Sequence, residues 1–352
     1  MAGGSGTRFW PRSRSRYPKQ MLQLFGQRSL IQHTYDRISG LTSDDKILVI
    51  TNINLRDAII EQLPQIPPQN IIAEPFGRNT APCIALAGAI MQKRKAKDEV
   101  MIVLPADHLI GSEEKFRECI QSAVKCAPAE GCLITVGIRP TYPETGYGYI
   151  QKDLEITSQY GRPVFKVKTF AEKPDTDTAT NFLKSGDFLW NSGMFIWTVE
   201  TIMNELDEHQ PEIAEAARKL KKYVDTKGLD EAIYDVYSRI KSVSIDYGVM
   251  ELAKKVCVIE ADFEWNDVGS WEAVFNISDK DEQNNAVQAP KNIMINSNNN
   301  YIHASKLVAA VDVQGLVVIE TDDALLICRK DQSQRVKDLV DQMRRKGLED
   351  YL

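Results

Sequence analysis

Val100-Met101-Ile102-Val103-Leu104-Pro105-Ala106-Asp107-His108 is the stretch that decides the fold. Its first five residues form an unbroken apolar run, too short for a helix and without polar alternation. That is the pattern of a strand buried on both faces. Pro105 interrupts the run, and an acid, Asp107, follows three residues beyond Leu104. In sheets covered by helices, ligands gather at the carboxyl ends of strands, so Asp107 stands where chemistry is expected.

The same alternation extends outward on both sides. Upstream, Lys46–Thr51 reads as a buried strand, Ile53–Leu63 as a helix, Asn70–Ala73 as a short strand and Thr80–Lys93 as an alanine-rich helix. Downstream, Ser112–Cys126 reads as a helix with an acidic first turn, and Leu133–Gly137 as a strand. Apolar strands alternating with helices predict an α/β layer fold with a mostly parallel sheet. Strands follow at Tyr147–Gln151, Phe165–Phe170 and within Leu189–Trp197. Helices follow at Thr176–Ser185 and over most of Glu200–Tyr223, with a break near Pro211. The character changes after Ser278. Asp279–Asn285 is polar, and short β-type runs (NIMI, YIHA, LVAAV, LVVIE, ALLIC) then succeed one another from Lys291 to Cys328. Turn residues separate them, among them Asn296–Asn300, because asparagine tolerates left-handed backbone. This resembles a small β-helix or β-roll, closed by an amphipathic helix over Ser333–Lys346. A catalytic domain over residues 1–278 and a β-helix-like domain over 279–352 are therefore expected, a division that suits 352 residues.

Composition narrows the function. Hydrophobic residues at 43% and charged residues at 26% are the balance of a soluble globular protein. No apolar run approaches the roughly 18 residues that cross a bilayer. The segment after Gly4 is basic rather than apolar, unlike a signal peptide, so a cytoplasmic protein without membrane partners is expected. A net charge of −6 argues against nucleic acid as a partner. Positive charge for a polyphosphate ligand must then be local, and it is: Arg8, Arg12, Arg14, Arg16 and Lys19 occur with no acid among them. The six cysteines form no C-x-x-C pair, and the four histidines form no H-E-x-x-H. Reduced, packed thiols are expected rather than a zinc site.

The basic run adjoins Ala2-Gly3-Gly4-Ser5-Gly6-Thr7-Arg8, with Pro18-Lys19 beyond it. Such a loop lets backbone N–H groups approach phosphate oxygens without obstruction. It is not a Walker A loop, because no G-K-[ST] follows. It is not the dinucleotide fingerprint either, because Phe9 stands where a third glycine belongs. A dinucleotide-binding oxidoreductase is accordingly remote.

G-G-S-G-T-R followed by P-K resembles the signature of the sugar-1-phosphate nucleotidyltransferases. Leu104-Pro105-Ala106-Asp107-His108, Phe170-Ala171-Glu172-Lys173-Pro174, Trp190-Asn191-Ser192-Gly193 and Trp265-Asn266-Asp267-Val268-Gly269 follow in that family's order. Arg78-Asn79-Thr80-Ala81-Pro82, Ser244-Ile245-Asp246-Tyr247-Gly248 and W-N-D-V-G-S-W resemble its branch of mannose-1-phosphate guanylyltransferases. The resemblance implies a Rossmann-like, GT-A-type mixed sheet flanked by helices, with a small C-terminal left-handed β-helix-like domain. It implies GTP and mannose 1-phosphate as substrates, GDP-mannose and pyrophosphate as products, and Mg²⁺ held by Asp107 and Asp267.

By the same resemblance, Ala2, Gly3, Gly4, Gly6, Thr7 and Arg8 hold the triphosphate, and Lys19 meets charge at the α-phosphate. Asn79, Thr80 and Ala81 face the base, and Asp107 also touches the nucleotide. Gly146, Tyr147, Glu172, Lys173, Asn191 and Asp267 surround the sugar phosphate. Arg8, Lys19, Asp107, Lys173 and Asp267 are the catalytic candidates. The chemistry fits these residue types, since phosphoryl-group transfer asks for positioning and charge neutralisation, and magnesium prefers oxygen ligands.

Plainer alternatives remain open for each residue. An Asp after a strand serves as a turn or helix cap, Glu172-Lys173 as a surface pair, and Asn191 in N-S-G as a turn residue. Trp190, Trp265 and Trp271 suit the core or a pocket wall rather than a stacking platform. A uridylyl-, thymidylyl- or adenylyltransferase, or a silent regulatory homologue, also stays open, as does a homodimer through the β-type tail. Family members usually open with an apolar strand ahead of the glycine loop. Met1 directly precedes Ala2 here, so that strand is expected to be missing, as is the cupin-type isomerase domain of some relatives.

Overall fold

Leu133–Ile138 is buried at every position, and it lies inside a six-stranded sheet. In the computed structural model, which describes residues 1–352, the strand order is Val100–Val103, Phe188–Thr198, Leu133–Ile138, Val256–Ala261, Val164–Glu172, Gly148–Thr157. Only the pairing of Leu133–Ile138 with Val256–Ala261 is parallel. The others are antiparallel. The mostly parallel sheet expected from the alternation is thus corrected to the mixed sheet that the resemblance implies. Burial on both faces makes a strand read as an apolar run whatever its direction, and direction is set by connections. Gly148–Thr157 returns directly into Val164–Glu172 as a hairpin, which apolar runs do not disclose. Val49–Asn52 and Ile71–Glu74 form a separate parallel pair.

The sheet belongs to the larger of two compact units, composed of Met1, Arg37–Pro105 and Ile110–Trp265. Alternation along Phe188–Thr198 feeds two cores. Phe195 and Trp197 enter one with the helices Thr80–Lys93, Val199–His209, Pro211–Lys227 and Leu229–Tyr237. Met194 and Ile196 enter the other with the helix Glu113–Glu130, as a period of two requires. The helix termini follow from caps. Asn79 and Asp175 accept hydrogen bonds from Thr80 N and Thr178 N, satisfying first-turn donors. Gly131, at φ 59, ends Glu113–Glu130. One close approach is built into the sheet. A Cβ on Gly137 would lie 2.6 Å from Leu189 Cδ1, at the irregularity that sets Gly137 opposite Asn191.

The smaller unit joins Ala2–Asp36, Ala106–Leu109 and Asn266–Leu352. Its core draws Phe9, Trp10, Leu22 and Leu30 together with Trp271, Phe275, Tyr301, Val317, Ile319 and Val336. Ala286–Gln288, Tyr301–His303 and Leu316–Glu320 stack as a parallel ladder, with Leu325–Arg329 added antiparallel. Asn292–Ile295 and Val308–Val311 make a second parallel ladder. The tail is therefore β-helix-like, as expected. An asparagine ladder braces its coils. Asn285 Oδ1 accepts from Asn300 N and Nδ2, and Asn300 Oδ1 accepts from Leu316 N. Five of the six cysteines are buried, and all are unpaired. No helix is long and apolar enough to cross a membrane.

Candidate active site

The phosphate-type residues cluster within the smaller unit. Gly6 adopts φ 59, and a Cβ there would meet Lys19 Cβ at 2.4 Å and Lys19 N at 2.7 Å. Only glycine lets the loop lie against Lys19. The loop is pinned by Ser13 Oγ donating to Gly6 O at 2.8 Å and Gln20 Nε2 donating to Ala2 O at 2.8 Å. Gly3, Gly4 and Arg8 are exposed, whereas Ala2 is buried. Thr7 begins the short helix Thr7–Phe9.

Lys19 is buried, yet its ammonium donates to Asp107 Oδ2 at 2.7 Å and to Asp267 O at 2.5 Å. A buried ammonium needs such partners. Burial pushes the Asp107 carboxyl up. The charges of Lys19 and His108 and the Lys19 hydrogen bond outweigh it and hold the group below its ordinary value. Asp267 lies in a turn under strain: Val268, β-branched, takes φ 49, a region that costs such residues energy. Val268 N donates to Asn266 Oδ1 at 2.7 Å. The absence of a side chain at Gly269 leaves room for the carboxylate, since a Cβ would stand 3.1 Å from Asp267 Oδ2.

Two other arginines of the basic run serve other ends. Arg14 pairs with Asp323 at 2.6 Å and Arg12 donates to Gln23 O at 2.9 Å, so both brace the smaller unit.

Apart from Asp267, which is in the smaller unit, the base-type and sugar-type residues lie in the larger unit, in two groups. Asn79 is exposed at φ 68 and caps its helix. Thr80 Oγ1 accepts from Ile245 N at 2.8 Å. Ala81 is fully buried with its N–H donated to Val243 O at 3.1 Å. The Ala81 N–H is thus engaged within the chain.

In the other group, Glu172 ends its strand and contacts Lys173, which is exposed and at φ 49. A Cβ on Gly148 would fall 2.4 Å from Glu172 Oε2. Gly146 is exposed, but its N–H donates to Glu144 Oε1 at 2.7 Å, which leaves the carbonyl for a ligand. Tyr147 packs edge-on against Trp190 and Trp265, with centroids 5.3 and 5.2 Å apart. Trp190 and Trp271 are buried, as expected.

Asn191 Nδ2 donates to Asp246 Oδ1 at 2.7 Å. Burial, with the nearby charge of Glu172, raises the Asp246 carboxyl above its ordinary value. Asp246 carried no assignment from the sequence. Its motif was visible there, but the contact spans 55 residues and no local spacing shows it.

A family model described as "Nucleotidyl transferase" matches residues 1–284, and one described as "MannoseP isomerase/GMP-like beta-helix domain" matches residues 290–343. The chain is 42% identical over 355 residues to a mannose-1-phosphate guanylyltransferase of Klebsiella pneumoniae, covering all of this chain and 74% of that one. It is 41% identical over 358 residues to the Salmonella typhimurium mannose-1-phosphate guanylyltransferase RfbM, covering 100% and 73%. A solved structure described as mannose-1-phosphate geranyltransferase from Thermus thermophilus superposes with a TM-score of 0.86 at 32% identity, covering 98% of each chain.

Proposed function

As this chain belongs to the nucleotidyl transferase family, we propose that it transfers GMP from GTP to mannose 1-phosphate, giving GDP-mannose and pyrophosphate. The observation that supports this best is the buried Lys19 ammonium held on Asp107 and on the Asp267 backbone beside a glycine loop. The relatives act, by their names, on mannose 1-phosphate. Because the substrates are cytoplasmic metabolites, the cytoplasm is the compartment we assign.

An oxygen of the sugar phosphate attacks the α-phosphorus of GTP, forming one P–O bond as the bond to pyrophosphate breaks. No general base is required, since a phosphate monoester is ionised at neutral pH. The loop Gly3–Thr7 and Arg8 hold the triphosphate and neutralise charge on the departing pyrophosphate. Lys19 faces charge that builds at the α-phosphate. Glu172 and Asn191 orient the sugar hydroxyls, Lys173 draws in the phosphate nucleophile, and Asn79 meets the base. The donor set Asp107 and Asp267 is all oxygen, with Asp107 kept ionised by Lys19, and it fits magnesium. These two carboxylates would hold the ion, which when bound supplies neutralisation of phosphate charge.

The test is pyrophosphate release by the purified chain with Mg²⁺, with GTP, ATP, UTP and dTTP each set against mannose 1-phosphate and glucose 1-phosphate. Release confined to GTP with mannose 1-phosphate is the expected result. Release with another pair overturns the specificity, and no release with any pair overturns the catalytic reading.

A further inference from the structure

The segment Ser244–Gly248 has no role in the chemistry above, although it touches two groups that do. On one side Val243 N donates to Arg78 O at 3.3 Å, Val243 O accepts from Ala81 N at 3.1 Å, and Ile245 N donates to Thr80 Oγ1 at 2.8 Å. On the other side Asp246 reaches Asn191. Asp246 also opens a π-helical turn, Asp246–Met250, a rare conformation that collects at functional sites. Gln210 Nε2 braces the turn by donating to Gly248 O at 3.0 Å.

The hydrogen bonds of Asn191 fix its amide orientation. Oδ1 accepts from Gly193 N at 3.1 Å and shares the Thr135 hydroxyl proton with Met194 O, each 3.3 Å from Thr135 Oγ1, while Nδ2 donates to Asp246 Oδ1 at 2.7 Å. The Gly193 N–H can only donate and the Asp246 carboxylate can only accept, so a flipped amide would face a donor with a donor and an acceptor with an acceptor. The carbonyl oxygen is thereby used twice inside the protein, and one Nδ2–H is left. Asn191 presents to its surroundings a donor alone.

We propose that Asp246 is a positioning residue for the sugar phosphate, acting through Asn191, whose amide it locks so that the remaining N–H is aimed at an acceptor oxygen of the sugar. This rests on the function proposed above and adds to it the polarity of one contact: at this point the sugar is read as an acceptor. The acids Glu172 and Glu251 face the same carboxylate. Of these, Glu172 is the sugar-side acid, and when ionised it can only accept from sugar hydroxyls, so the Asn191 N–H supplies the complementary half of the recognition.

A reciprocal exchange separates positioning from a packing role. Asp246→Ala removes the lock, and the KM for the sugar phosphate should rise about tenfold while the KM for the nucleotide is unchanged. The double variant Asn191→Asp/Asp246→Asn keeps all three internal bonds, because an aspartate at 191 accepts from Gly193, from Thr135 and from the new amide at 246. It has no N–H left for the sugar. Its melting temperature should return toward that of the parent while its sugar-phosphate KM stays raised. Recovery of both would overturn the proposal, since a structural role would be repaired along with the bonds. An unchanged KM in Asp246→Ala would overturn it as well. The parent protein is assayed beside the variants with the nucleotide and sugar pair it turns over. A parent that prefers another pair counts against the substrate assignment alone, and the KM ratios of the variants on that pair still decide the role of Asp246.

Discussion

Lys19 concentrates the chemistry at the scale of one residue. Its charge is buried, and its ammonium rests on a carboxylate and a carbonyl, so replacing it by methionine strands Asp107 and, on the function proposed above, removes the cation that faces the α-phosphate. The kcat of Lys19→Met should fall by roughly 10²-fold or more, as for removal of one preorganised donor, and steady-state kinetics check it. Asp107→Ala should likewise abolish turnover while the far-ultraviolet circular dichroism stays that of the parent.

A second residue reports on pH. Burial pushes the Glu74 carboxyl up to about 7, against the opposing hydrogen bond from Tyr237. The folded chain keeps a proton there that the unfolded chain releases near the ordinary carboxylate value. Stability should therefore decline as pH rises from about 4.5 to about 7, and level off above. Glu74→Gln retains an oxygen for the Tyr237 hydroxyl and should flatten that decline in thermal melts taken across the range. An identical slope in the variant would contradict the assignment.

At the scale of elements, what is legible in the sequence and what is not divide along a physical line. Thr80–Lys93 and Thr176–Ser185 have the bounds read from sequence, because their caps, Asn79 and Asp175, are local chemistry. Lys19 can be associated with Asp107 and Asp267 only through motifs, since 88 and 248 residues separate the partners. Strand direction escapes the sequence because burial is blind to it. The use of the Ala81 N–H escapes it too, because Val243 lies far along the chain.

Two predictions belong at this scale. Gly6→Ala would drive a Cβ into the Lys19 backbone, so it should lower kcat by roughly the margin of losing Lys19 itself, measured in the same assay. Asn300→Ala removes the rung between Asn285 and Leu316 from a fully buried site. Stranding those groups should cost about 2–4 kcal/mol in a denaturant titration. A loss within error of zero would show that the ladder contributes nothing to the β-helix-like coils.

For the whole molecule, the smaller unit matters because it is assembled from distant parts of the chain. Phe9, Trp10 and Leu22, which flank the glycine loop and Lys19, share their core with Tyr301, Val317, Ile319 and Val336. The order in which a ribosome delivers these residues is then significant. Ala2–Asp36 leaves the exit tunnel ahead of the larger unit, and most of its packing partners are made only after that unit. On the function proposed above, a nascent chain stays inactive until these coils are added, however complete its glycine loop. A message cut short before them lacks the residues against which Phe9, Trp10 and Leu22 pack. Activity becomes a certificate that translation ran through the β-helix-like segment.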